Sequence, residues 1–241
     1  MISLTSAIRR RPGMSRAAFF DYLLHVHGGL ATAEPGELRR YRQNHVRDAV
    51  AGIPGQPCYL VAPDRDNVTE VIFDELPQLF ADLSRSYTRE VLGPDGANFS
   101  DLPTATALVG SIAGSLGTPL ESGGKVIAFL RATDGVPLEE FTARWRAAAA
   151  SVPLSEIGGD SIVHAEVQER VAAGDQVVGY FGGADAPSYQ GMISLWFDAA
   201  DHALDGTGRY LDALAEVDPF FDASRSWRAL VDEFVIYEQP A

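Results

Sequence analysis

Behind the turn RRPGM, apolar residues recur at Phe19, Leu23, Val26 and Leu30. At about 100° per residue these four share one narrow helical stripe. Strand-like and helix-like stretches then alternate through the first half. It reads as strand Ile2–Ile8, helix Ser15–Gly28, strands Glu37–Val46 and Val68–Phe73, helix Asp74–Glu90 and strand Thr104–Ser111. The second half repeats that order: strand Val126–Arg131, turn TDGVP, helix Leu138–Ala150, strands Ser161–Val171 and Tyr189–Asp198, helix Ala199–Val217 and strand Trp227–Glu238. Gly13 matches Gly135, Phe19 matches Phe141, and Phe73-Asp74 matches Phe197-Asp198. The stretch Gly110–Gly124 is rich in Gly and Ser, as linkers are.

Each half is thus a βαββαβ pattern, the split βαβ of ferredoxin-like units, which leaves one sheet face bare. Two such units in one chain can bury their bare faces on each other. The predicted fold is α+β: two ferredoxin-like units, residues 1–112 and 125–241 around a linker at 113–124, forming an intramolecular α/β barrel. Whether the halves close on each other, as a pseudo-dimeric monomer, or pair in a homodimer stays open.

Composition changes this picture only at the margins. The chain has 241 residues, 46% of them hydrophobic, which is ordinary for a globular protein with a sizeable core. One cysteine, Cys58, excludes an internal disulfide. No apolar run has membrane-span length and the N-terminus lacks a secretion signal, so a cytoplasmic protein is expected. A net charge of −14 argues against nucleic acid and anionic membranes as partners. Basic residues cluster at Arg9–Arg11 and Arg39–Arg47, read as solvated surface. Lys125 is the single lysine, so Schiff-base chemistry is a long shot.

The segments RRPGMSRAAFFDYLLHVHGGL and ELRRYRQNHV carry a more specific signal. Arg10, Pro12, Gly13, Met14, Ser15, Phe19, Tyr22, Leu23 and His27, then Tyr41, Asn44 and His45, resemble the start of EthD-domain proteins of the dimeric α/β-barrel superfamily. The resemblance implies cofactor-free chemistry on small aromatic or polyketide-derived molecules: dehydration, decarboxylation or cyclisation. Relatives in the superfamily run cofactor-independent oxygenation, and a few bind haem.

His25 and His27 stand two apart on the predicted helix, and positions i and i+2 do not face each other. A shared metal ion is therefore not expected. His25 falls on the solvent side. His27 falls on the flank of the apolar stripe, at the expected helix end, where it could act as general acid or base or be a half-buried structural histidine. On the following strand, Tyr41, Gln43 and His45 share one face, which could line the space between the sheets. In the second half His164 and Glu166 share a face, as an acid/base pair or a simple polar contact, and Trp196 could face the cavity. Asp218 and Asp222 could cap it, though DPFF reads more simply as a loop anchored by its Phe residues.

These readings combine into one expectation. His27, Tyr41 and His45 are the catalytic candidates, and Tyr22, Gln43, Asn44, His164 and Trp196 the substrate-binding ones. The expected function is a lyase or cyclase acting on a small molecule, without cofactor or metal. A cofactor-independent monooxygenase and a non-catalytic carrier of a hydrophobic metabolite are the alternatives.

Overall fold

The computed structural model describes residues 1–52, 60–61, 65–117, 123–154, 162–181 and 189–240. Its strands are β1 (Ile2–Ile8), β2 (Arg40–Ala51), β3 (Leu60–Val61), β4 (Asn67–Phe73), β5 (Thr106–Gly117), β6 (Gly124–Leu130), β7 (Ile162–Arg170), β8 (Gly191–Phe197) and β9 (Trp227–Glu238). Helix α1 runs Arg16–Asp21, passes through a π-helical stretch at Tyr22–His27 and continues as Gly28–Ala33. The others are α2 (Leu76–Ser84), α3 (a π-helical turn Thr88–Leu92 leading into Gly93–Phe99), α4 (Leu138–Ser151), α5 (Asp175–Phe181) and α6 (Ala203–Val217). Cys58 and residues 118–122 of the expected linker lie outside the described residues.

Eight strands close into an antiparallel barrel in the order β2-β4-β1-β5-β7-β8-β6-β9, with β9 returning to β2; β3 pairs only with the end of β2. Within each half the order is second, third, first, fourth strand: β2-β4-β1-β5 and β7-β8-β6-β9. The halves meet along two seams, β5–β7 and β2–β9. Closing the first seam lengthens β5 into the segment expected to be linker, so that Gly117 pairs with His164. The turns before α1 and α4 also match: Gly13 and Gly135 sit at φ +83° and +84°, a region that favours glycine.

Strand alternation sorts the side chains into two spaces. Outward positions pack under the helices. In the second half this layer is solid, with Phe141, Trp145, Phe197 and Phe220 each at most 2% exposed. Gly191 lets Trp145 lie flat on the sheet, since a Cβ there would fall 2.2 Å from its ring. Inward positions at one end of the barrel are apolar, among them Leu108, Ile127, Phe129 and Met192. Burying each such side chain contributes about 1.5–3 kcal/mol.

Two boundaries move for local reasons. The expected helix Asp74–Glu90 breaks at Arg85, whose backbone is extended and whose guanidinium bonds Glu34 O (2.9 Å) and Asp82 (3.0 Å). Helix α1 runs on to Ala33, so His27 is not at a helix end.

Candidate active site

The π-helical stretch decides which side chains of α1 face the sheet. The Gly28 N–H bonds Leu23 O, a step of five residues, which underwinds the helix. Inward positions therefore recur every four residues: Phe19, Leu23, His27 and Ala31. Phe19, Leu23 and Ala31 are buried and His27 is half-buried. A uniform 100° step placed Val26 on this face; it is 43% exposed. Leu23 O also accepts from Gln43 Nε2 at 2.7 Å, so the sheet braces the irregular turn.

Between α1, α2 and α3 and the outer face of the first-half strands lies a cavity of about 370 Å³. Leu4, Leu23, Val71, Phe73 and Leu79 make its apolar wall; His27 and Tyr41 supply polar groups on it. Pockets of this kind, apolar with a few convergent polar groups, are where ligands bind.

His27 is held from behind. Its Nδ1 lies 2.8 Å from Asp95 Oδ2, and its ring packs 4.7 Å from Phe99. Asp95 accepts two more hydrogen bonds on Oδ1, from Tyr22 Oη (2.6 Å) and Asn98 Nδ2 (3.0 Å). Burial works to raise the Asp95 carboxyl, but the bonds from Tyr22, Asn98 and His27 hold it below its ordinary range. Burial lowers the His27 imidazole, and its contact with Asp95 only partly offsets that. At neutral pH His27 is thus a neutral base, with Nδ1–H donated to Asp95 and Nε2 carrying the lone pair. The helix-end effect expected for it does not apply.

Tyr41 is the second polar group on the wall. Burial pushes its phenol well above the usual range, so it stays protonated. Its oxygen accepts from Gln43 Nε2 at 2.8 Å, which leaves its own O–H to donate.

The eight expected site residues therefore separate. His27 and Tyr41 line the cavity; Tyr22 and Gln43 stand behind them. Tyr41, Gln43 and His45 do share a face, but it faces the helices rather than the space between the sheets. His45 is not on the cavity wall: its ring stacks on Phe20 at 4.3 Å and its Nε2 lies 3.2 Å from Gln43 Oε1. Burial depresses it to about 4, which keeps it neutral.

Asn44, His164 and Trp196 face the barrel interior, within a buried charged network. Lys125 Nζ bonds Glu70 (2.9 Å) and Glu233 and sits 4.4 Å over the Trp196 ring. Arg42 bonds Glu166 through two nitrogens, at 2.8 and 3.2 Å. Asn44 and Gln168 also donate to Glu70. His164 lies 3.5 Å from Glu166, so that carboxylate belongs first to Arg42 and the pair is not an isolated acid/base couple. Asp218 pairs with Arg144, and Asp222 caps a turn through Ser224. Phe220 and Phe221 anchor their loop in the core.

The sequence reading missed Asp95. Its only trace is the Asp95/Asn98 spacing in a short helix, 68 residues from His27. His25 is exposed as expected. Among the described residues no group of three or more His, Cys, Asp or Glu could hold a metal ion, and no helix is long and apolar enough to cross a membrane.

Residues 11–103 match the model of the EthD domain. An anthrone oxidase-like protein superposes with a TM-score of 0.58 at 7% identity, over 100% of this chain and 95% of that one. A chlorite dismutase variant from Candidatus Nitrospira defluvii superposes with a TM-score of 0.50 at 10% identity, over 96% of this chain and 91% of that one. Both share the barrel fold. No curated protein matches the chain.

Proposed function

We propose that this chain, which carries an EthD domain over residues 11–103, is an enzyme that abstracts a proton from a small, largely apolar molecule. The observation that carries the reading is the His27–Asp95 contact on the wall of an apolar cavity. His27 Nε2 takes the proton, and Asp95 stabilises the imidazolium that forms. Tyr41 donates to the oxygen on which negative charge develops, as an enolate forms from a carbonyl. Returning the proton to a leaving hydroxyl completes a dehydration; returning it to the alkoxide formed when the enolate carbon attacks a second carbonyl of the same molecule completes a cyclisation. The steps need only groups of this chain, which supports a cofactor-free lyase or cyclase. The shared strand order of the halves supports reading them as duplicated ferredoxin-like units. His27, Asp95 and Tyr41 all belong to the first unit, which supports placing the chemistry there.

A second reading is cofactor-independent oxygenation, favoured by the likeness in fold to an anthrone oxidase-like protein. It shares the first step: the carbanion made at His27 would then reduce oxygen directly. Incubating the protein with enolisable aromatic ketones in deuterated water tests both. Solvent deuterium should enter the substrate with wild type and not with His27→Ala. Oxygen uptake coupled to turnover selects the second reading. Equal exchange in both proteins would end the proposal.

A further inference from the structure

The floor of the His27 cavity carries more polar groups than the proposed reaction uses. Ser6 on β1 and Thr69 on β4 both line it. They are direct cross-strand partners, and Thr69 is in turn the partner of Gln43 on β2. Side chains paired in this way stand on one face of the sheet. Neighbouring strands lie about 4.8 Å apart, so the row Gln43, Thr69, Ser6 crosses roughly 10 Å of the outer face. Tyr41 joins the row from the side, because its oxygen accepts from Gln43 Nε2 at 2.8 Å.

The hydroxyls of this row have protons to give. Thr69 Oγ1 accepts from Nδ2 of the fully buried Asn67 at 2.8 Å, much as Tyr41 Oη accepts from Gln43. Accepting from behind leaves each O–H free to donate forward. Among the described residues neither the Thr69 O–H nor the Ser6 hydroxyl donates to another group. Charge narrows what these donors can take. No Arg or Lys is among the described residues that line the cavity, and its carboxylates are Glu34 and Asp82. Burial keeps the His27 imidazole neutral. An anion on this floor would be buried without a counter-charge, which costs more than hydrogen bonds return. An uncharged oxygen acceptor carries no such cost.

We propose that Ser6 and Thr69 form a second oxygen subsite, and that the substrate is an uncharged molecule with two carbonyl oxygens. The enolisable carbonyl meets Tyr41 and His27; the other accepts from the Ser6–Thr69 pair. This rests on the reading of the cavity as the substrate site. The pair moves no proton. It fixes how the molecule lies, and so which carbon faces His27 Nε2.

Titration calorimetry with 2-acetylnaphthalene, 2,6-diacetylnaphthalene, 2,7-diacetylnaphthalene and 6-acetyl-2-naphthoate tests this. At least one diketone should bind about 2- to 10-fold tighter than the monoketone, the gain from one added hydrogen bond. The naphthoate should bind no tighter than the monoketone. Ser6→Ala removes a hydroxyl that has no partner in the chain, so it should erase the diketone advantage with the melting temperature unchanged. Thr69→Val should erase it too. That variant also strands the Asn67 amide, so the ratio of diketone to monoketone affinity is the quantity read; a merely structural disturbance weakens both alike and leaves the ratio intact. Equal binding of all three ketones, or a ratio that survives both substitutions, overturns the subsite and leaves the cavity reading standing. A naphthoate that binds tightest overturns the assignment of an uncharged substrate. If no ketone binds, the cavity reading fails and the subsite falls with it. Ala31→Phe, which fills the cavity, should abolish ketone binding; binding that persists there would place the ketones elsewhere and overturn both.

Discussion

Lys125→Met tests the account of the barrel interior most directly. Lys125 is 3% exposed and Glu70 is fully buried, so the substitution strands a buried carboxylate. Burial by itself raises the Glu70 carboxyl; the charges of Lys125 and then Arg42, with the bonds from Lys125 and Asn44, overcome that and hold it at about 2 rather than 4.5. That difference corresponds to about 3 kcal/mol. Breaking a buried pair by removing one partner costs about 3–5 kcal/mol, the same range. For a chain of this length the melting temperature should fall by about 6 to 20 °C. The sign with pH follows from the depressed carboxyl. Its stabilisation is fully present above 4.5 and is lost as pH falls from there toward 2. Wild type and Lys125→Met should therefore differ most at neutral pH and converge in that acidic window. Removing both partners, in Lys125→Met with Glu70→Leu, should recover part of the loss. Calorimetric melts between pH 7 and 3 decide it. A loss below about 1 kcal/mol at pH 7, or a gap that stays constant with pH, would show that Lys125 does not hold the Glu70 carboxylate in place.

Other outcomes follow from the site. His27→Ala should lower turnover by about 10²–10⁴-fold with the melting temperature little changed; a rate within threefold of wild type would remove His27 from the chemistry. Because burial lowers the His27 imidazole, the acid limb of the rate profile should lie below pH 6.5, and a limb above 7 would contradict that. Asp95→Asn removes a charge-assisted bond worth about 1.5–3 kcal/mol, so a loss of about 10- to 150-fold is expected, with the acid limb moved lower still. His45→Phe should keep the stack on Phe20 and change turnover less than twofold, measured side by side with His27→Ala.

The eight barrel strands and a mixed α/β barrel were legible in the sequence, whereas the short helices Gly93–Phe99 and Asp175–Phe181 were not, and closure of the two halves on each other stayed open. Local periodicity and turn chemistry carry what was legible: Gly13 and Gly135 need the same unusual φ, and Phe19 and Phe141 head the same buried stripe. The sequence also brought forward His27 and Tyr41, because their motif lies within one helix and one strand. Four matters rest on long-range contacts that no local pattern contains. The face of β2 turned toward the helices depends on where the other half packs, and alternation cannot tell one face from the other. The π-helical stretch that brings His27 to the wall depends on a bond from Gln43 across to Leu23 O, which no helical wheel contains. Asp95 joins His27 through a contact 68 residues apart in the chain. Lys125, Glu70, Arg42 and Glu166 likewise meet only when the barrel closes, since each pair spans the two halves. Local pattern specifies which way a side chain alternates; only the closed fold specifies what stands opposite it.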